Sequence, residues 1–521
     1  MPRNAIGPLP LTDRREEAYH VRVRAASVYR TSPIPHHANN GDEDLYPNRI
    51  ACFTKGLPHN HLGEVDPAVY ASFLGALSSG HAPSFENLPL GCGFPSRKLV
   101  NPQAGLAFDM EGYDSHLLSI PPAPQFDSDE IGAEIVENYW MALLRDVPFE
   151  EYAGNPLASD AAMELNALND FRGPRIGGVV TPQSLFRGLT PGDVVGPYIS
   201  QFLVKPVPFG AQGFEQKLKT PLAGIDFVTD FNEWLAVQRG CPRSFSASDF
   251  DPTPVYLRNG RDLSQWVHID VLFQAYFNAL LILLQGPDAP TPVGGGIGAA
   301  VDAGNPYVLS RTQDGFGTFG GPAIATLLCE VATRALKAVW FQKWYVHRRL
   351  RPEAYAGRLH QVKAGVASYP VNAQALNSDA AARTNTKNGT YLLPMAFPEG
   401  SPTHPAYGAG HATVAGACVT ILKALFDENQ VIPDPVFVGP GNTLQPYGGP
   451  ALTVGGELNK LASNIAIGRN IAGVHWRSDG TESLLLGEQV AIGVLRDHKL
   501  VYNEPFGGFT FTSFAGHTMT V

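Results

Sequence analysis

The chain has 521 residues, 44% hydrophobic and 17% charged, with a formal net charge of −10. This is an ordinary globular composition, long enough for roughly three domains or for one large multi-helix body. The acidic balance, with no dense Lys/Arg run, argues against a nucleic-acid partner, because affinity for a phosphate backbone needs clustered positive charge.

The opening stretch, MPRNAIGPLPLTDRREEAYHVR, has no continuous apolar run after its charges. No secretory signal is therefore expected, and the default compartment is the cytoplasm. Among five cysteines there is no CxxC pair, so a thiolate zinc site is not expected. Cys52 and Cys92 fall in loop-like stretches where a disulfide is conceivable, whereas Cys329 and Cys418 lie in apolar helical patterns as buried thiols. Apolar residues at helical spacing predict helices over 131–144, 266–284, 324–350, 413–426, 457–472 and 481–495. The most hydrophobic window, Trp266 to Leu284, is interrupted by His268, Asp270, Gln274 and Asn278, so it reads as a buried core helix and not as a membrane span. Proline- and glycine-rich stretches at 287–305 and 431–449 read as loops, and Gly508 to Ser513 as part of a hairpin. The predicted fold is mainly α: a multi-helix bundle with long loops and a few short β-hairpins. The composition shift at 287 divides it into an N-terminal helical region, 1–286, and a C-terminal helical region, 287–521, that carries the candidate site, the two packed as one body.

Three segments of the second region carry the chemistry. Lys343 lies late in the helix that begins near Ile324, and Arg351 stands just beyond it because Pro352 disfavours helical geometry in the preceding residue. Both can face one pocket; alternatively Lys343, His347, Arg348, Arg349 and Arg351 form a solvated face at the helix C-terminus. Gly408-Ala409-Gly410-His411 precedes an apolar helical run, so its amides sit at a helix start, where anions bind. The plain alternative is a glycine turn with a capping histidine. Arg469 falls on the inward stripe of Leu458, Leu461, Ile465 and Ala472, and a buried arginine requires an anion. His475 and Asp479 follow. A carboxylate on one imidazole nitrogen fixes the tautomer and raises the basicity of the other nitrogen. Together, three cations in an acidic protein form a cage for a small oxyanion such as phosphate or vanadate.

Lys343…Arg351-Pro352, Ala409-Gly410-His411 and Arg469-x5-His475-x3-Asp479, in that order, resemble the vanadium-dependent haloperoxidases and, more distantly, the acid phosphatases that share their anion site. The spacing of Lys343 and Arg351, with His404 in Pro402-Thr403-His404-Pro405 upstream of His411, narrows the resemblance to the algal bromoperoxidase branch and its cyanobacterial relatives. It extends over most of the chain, through the stretches 55–60, 139–149, 192–201 and 315–320. It implies a vanadate cofactor with His475 as the vanadium ligand. Lys343, Arg351 and Arg469 would hold the vanadate oxygens, and the Gly410 amide would donate to one of them. It further implies His411 as the acid/base group, His404 on the halide side, and Trp340, Ala409 and Asp479 around them, with His411, His404 and Lys343 as the catalytic set. The implied activity is oxidation of bromide and iodide by hydrogen peroxide to hypohalous acid, which halogenates a small organic acceptor, in a helical homo-oligomer. Ala409 stands where the family has a serine, so one hydroxyl donor is missing, which predicts weaker vanadate retention or an altered pH dependence. A phosphomonoesterase with His475 as phosphoryl acceptor is the alternative, and a non-catalytic oxyanion-binding protein a third reading. No acidic cluster maps onto a structural calcium site.

Overall fold

The structure is a computed structural model that describes residues 7–521; the first six residues of the charged opening stretch lie outside them. Its centre is the helix Gly410–Leu425, in which every residue except His411 is buried, as befits a helix apolar on all faces. Helices Gly321–Phe341, Val454–Ile471 and Arg477–Lys499 pack around it. The contact with Arg477–Lys499 depends on two glycines. A Cβ at Gly416 would come within 2.1 Å of Leu484 O, and one at Gly487 within 2.1 Å of Thr413 O, so only hydrogen at both positions lets the two backbones meet. That crossing fixes the relative placement of His411 and Asp479, which stand in the first turns of the two helices.

The fold is mainly α, as predicted. Among the described residues the named strands form three two-stranded antiparallel hairpins: Val207–Phe209 with Gln212–Phe214, Val436–Gly439 with Thr443–Pro446, and Thr510–Thr512 with Thr518–Thr520. The second lies inside the 431–449 stretch read as loop. One apolar core cluster draws residues from both sides of the 287–305 loop, from Ile50 to Phe514. Among the described residues no helix is long and apolar enough to cross a membrane.

Two predicted helices are broken, and both breaks serve the site. The 266–284 window is two helices, Gly260–Trp266 and Gln274–Leu284, with an irregular link between them. In the link, Val267 O accepts a hydrogen bond from Arg469 Nη1 at 2.7 Å, and Asp270 Oδ1 lies 3.0 Å from His411 Nε2. Polar groups that looked like blemishes in a core helix are therefore committed to tertiary partners. The 324–350 window is α-helical only over Gly321–Phe341 and continues as a π-helical turn, Gln342–His347, that ends at Arg348 with φ of 40°. Such widened turns recur at functional sites, and this one carries Lys343.

Helices Leu11–Thr31, Pro67–Ser79, Pro156–Ala167, Pro352–Lys363 and Asp379–Asn388 were not predicted. Asp66, Asn155 and Ser378 each accept hydrogen bonds from amides of the first turn, so cap residues were an available signal. The cysteines also pair differently from the sequence reading. Cys92 is joined to Cys241, Cα–Cα 5.0 Å, while Cys52 is free and buried. The loops carrying the pair meet where Arg97 N donates to Gly240 O at 2.9 Å.

The glycine crossing yields a paired test. Gly487→Ala should lose about 1–3 kcal/mol of stability by driving a methyl into a neighbouring backbone. Gly480→Ala, whose Cβ would sit 3.5 Å from Ala466 Cβ in ordinary contact, should cost nothing. Thermal unfolding of the two variants side by side distinguishes them, and equal melting would contradict the close-approach argument.

Candidate active site

Lys343, Arg351 and Arg469 are all buried. Lys343 Nζ donates to Pro405 O at 2.8 Å and Ala406 O at 3.0 Å. Arg351, held extended as the residue before the Pro352 helix, donates from Nη1 to Val474 O at 2.7 Å and from Nε and Nη2 to His404 O at 3.1 and 2.9 Å. Arg469 gives Nη1 to Val267 O, its Nε is buried without a partner, and its guanidinium lies 5.5 Å from the Phe397 ring centroid. Among the described residues none of the three forms an ion pair. Arg145, Arg349 and Arg477 are as deeply buried and each holds a carboxylate.

His475 projects into this cluster after a helix stop. Gly473, at φ of 84°, turns the chain out of Val454–Ile471. Its Nδ1 lies 2.8 Å from Asp479 Oδ2 and its Nε2 2.9 Å from Arg351 Nη1. Arginine only donates, so Nε2 carries the lone pair and Nδ1 carries the proton given to Asp479. His404 differs: its Nδ1 lies 3.0 Å from the donor Arg351 Nη2 and 3.2 Å from the acceptor Pro405 O, so these contacts do not select one tautomer. The Trp340 ring stands 5.0 Å from His404 between centroids and 5.7 Å from Lys343 Nζ, and a Cβ on Gly410 would lie 3.1 Å from it.

The electrostatics follow from this crowding. Burial, together with the charges of Arg351 and Arg469, holds the Lys343 ammonium well below its ordinary range. Burial pushes the Arg351 guanidinium down to about 9, helped by Arg469 and opposed by Asp479. Arg469 falls to about 10 by burial, against the opposing charges of Asp270 and Glu399. His475 and His404 are both held well below the usual histidine value, by burial first and then by the surrounding cations. The cluster is short of negative charge, and its donors suit an oxyanion.

Of the ten residues singled out from the sequence, Lys343, Arg351, His404, His475, Asp479, Trp340 and Gly410 are joined by these contacts and Arg469 by its charge acting on Arg351 and His475. Ala409 precedes Gly410, and His411 is linked through Asp270; other residues in the network were not foreseen. Asp270 holds His411. Ser483 Oγ accepts the Ala409 amide at 2.7 Å and so fixes the turn before His411. The expected solvated basic face does not exist, because its arginines are sorted among buried partners. Arg348 pairs with Glu43, Arg349 with Glu134 and Asp479, and Arg351 enters the site. Lys55, in one of the quoted stretches, holds Glu353 at 2.9 Å and Glu399 O at 3.0 Å, bracing the loop that leads to His404. None of these pairings has a sequence period, so none could be read in advance.

A family model described as the VCPO second helical-bundle domain matches residues 325–504. The chain is 38% identical to a vanadium-dependent bromoperoxidase of Corallina pilulifera, with 98% of this chain and 99% of that protein covered. To one from Ascophyllum nodosum it is 37% identical, over 99% of this chain and 94% of that protein. The homohexameric structure of the second vanadate-dependent bromoperoxidase from Ascophyllum nodosum matches with a TM-score of 0.89 at 31% identity, covering 99% of this chain and 91% of that one. The three unpaired cations, the oriented histidine and these full-length likenesses lead to one conclusion: the chain belongs to the vanadium-dependent bromoperoxidases.

Proposed function

We propose that this protein oxidises bromide, and iodide, with hydrogen peroxide to hypohalous acid, using vanadate held by Lys343, Arg351, Arg469 and the Gly410 amide, with His475 Nε2 as the vanadium ligand. The observation that carries the proposal is the set of three buried cations without an ion-pair partner around one histidine lone pair. Bound there, vanadate supplies a Lewis acid that activates peroxide without changing its own oxidation state.

The side chains do the rest. His411 Nε2 donates to Asp270, which leaves Nδ1 free to take a proton from incoming peroxide and to return it. A proton is needed, because peroxide, bromide and a proton yield hypobromous acid and water. His404 stands beside Trp340 on the halide side, and its neutral ring adds no cation to an already crowded group. The small organic acceptor is then halogenated by the released acid. Self-association belongs to the proposal as well. The relative from Ascophyllum nodosum is homohexameric, and helix Leu11–Thr31 has no buried residue within this chain.

The same cage would also hold phosphate, with His475 as phosphoryl acceptor. Reconstitution with orthovanadate should give bromination of an activated organic acceptor that depends on bromide and hydrogen peroxide, and the vanadate-free protein should hydrolyse phosphate esters poorly or not at all. Ester turnover with no bromination would overturn the proposal. Ala409 makes a second prediction. A hydroxyl at this position adds a donor to a charged group, worth about 1.5–3 kcal/mol. Ala409→Ser should therefore tighten vanadate binding roughly 10- to 150-fold in equilibrium dialysis, and an unchanged affinity would refute the missing-donor account.

A further inference from the structure

Arg349 was not among the residues assigned to the site, yet it touches both of its walls. Its side chain is buried between aromatic rings, 4.8 Å from the Trp476 centroid and 5.8 Å from that of Tyr407. Nη1 donates to Asp479 Oδ1 at 2.8 Å and to Ser478 Oγ at 2.8 Å, and Nη2 donates to Glu134 Oε2 at 2.9 Å. Glu134 closes the ring by accepting Ser478 N on its other oxygen. The main chain of Arg349 faces the opposite wall. Its carbonyl accepts Ala406 N at 3.0 Å, and Ala406 O is one of the two carbonyls that receive Lys343.

The use of the Asp479 oxygens shows what Arg349 can control. Oδ2 takes His475 Nδ1–H at 2.8 Å and Trp476 N at 3.1 Å, which leaves Oδ1 to Arg349. Asp479 is completely buried, so no solvent competes for either oxygen. If the guanidinium is removed, Oδ1 is left buried without a donor, the carboxylate is held only through Trp476 N on Oδ2, and the acceptor of the His475 Nδ1–H is less firmly placed. The Nδ1–H tautomer is then selected from one side only, by the donor that Arg351 Nη1 sets against Nε2, and the population with the lone pair on Nε2 falls. Outer contacts of this kind orient ligating histidines and typically change metal affinity 10- to 100-fold.

We infer that Arg349 is the positioning residue of the oxyanion site: acting through Asp479 and braced by Glu134, it locks His475 in the Nδ1–H tautomer with Nε2 facing the cage. The inference rests on the vanadate reading above, and two readouts keep them separable.

The first readout needs no vanadate. In protein labelled with nitrogen-15 histidine, with His475 assigned through His475→Gln, the wild type should show a single Nδ1–H tautomer at that residue and Arg349→Met a mixture. The second is vanadate affinity by equilibrium dialysis. Arg349→Met should bind at least about tenfold more weakly than wild type, and Arg349→Lys, which keeps the charge and one donor, should fall between them. In an Asp479→Asn background the Arg349→Met change should add less than about twofold, because its route is already cut. An unchanged tautomer in Arg349→Met, or an equal loss of affinity in both backgrounds, overturns the inference. If Arg349→Met does not fold, Arg349→Lys decides on both readouts, and wild-type behaviour in each overturns it. Failure of the wild type to bind vanadate would count against the vanadate reading alone, while the tautomer still judges Arg349.

Discussion

Burying like charges together is the constraint from which the rest of this structure follows. Lys343, Arg351 and Arg469 are withdrawn from water within one another's fields, and burial already disfavours each of them. Isolated buried ions cost far more than a fold can supply, so a protein normally pairs them or neutralises them. Elsewhere this chain pairs most of them. Arg145 holds Asp226, Arg477 holds Glu137 and Lys55 holds Glu353. At the site the protein offers only carbonyls and imidazole nitrogens, and the missing counter-charge is the natural place for a ligand. Among the described residues Arg358 and Lys423 are also buried without an ion pair, each on carbonyl or amide oxygens, so it is the gathering of three such cations around His475 that marks the site.

The surrounding architecture keeps that imbalance in place. The glycine crossing of the two central helices fixes where Asp479 and His411 start, a π-helical turn swings Lys343 inward, and the break after Trp266 brings Asp270 and Val267 to the rim. Each is a departure from regular structure, and each gives a polar group to a partner far away in sequence. The histidines are differentiated by the same means. His475 has its carboxylate on Nδ1 and its lone pair in the cage, His404 sets Nδ1 between Arg351 and Pro405 O, and His411 has Asp270 on Nε2 and a partly open position.

The legibility of these features in the sequence differed by physical type. Helices with long apolar stripes, such as Gly410–Leu425 and Val454–Ile471, were visible within a few residues because periodicity reports burial directly. The Arg469, His475 and Asp479 spacing was visible because all three lie on one helix end and the next helix start. The disulfide partner of Cys92, the carboxylates of Arg348 and Arg349 and the contact of Asp270 with His411 were not visible, since each joins distant segments. Arg349 is the clearest instance. In sequence it is one of three neighbouring arginines at a helix end, and only the fold separates it from Arg348 on one side and Arg351 on the other.

The central claim is that the buried cations form a preformed site for a single oxyanion. Isothermal calorimetry of the vanadate-free protein with orthovanadate tests it most directly, alongside Arg469→Met, which removes the cation with a buried donor still unpartnered. The account predicts saturable equimolar binding in the wild type and a large loss of affinity in the variant. Absence of binding, or equal binding by both proteins, would contradict it.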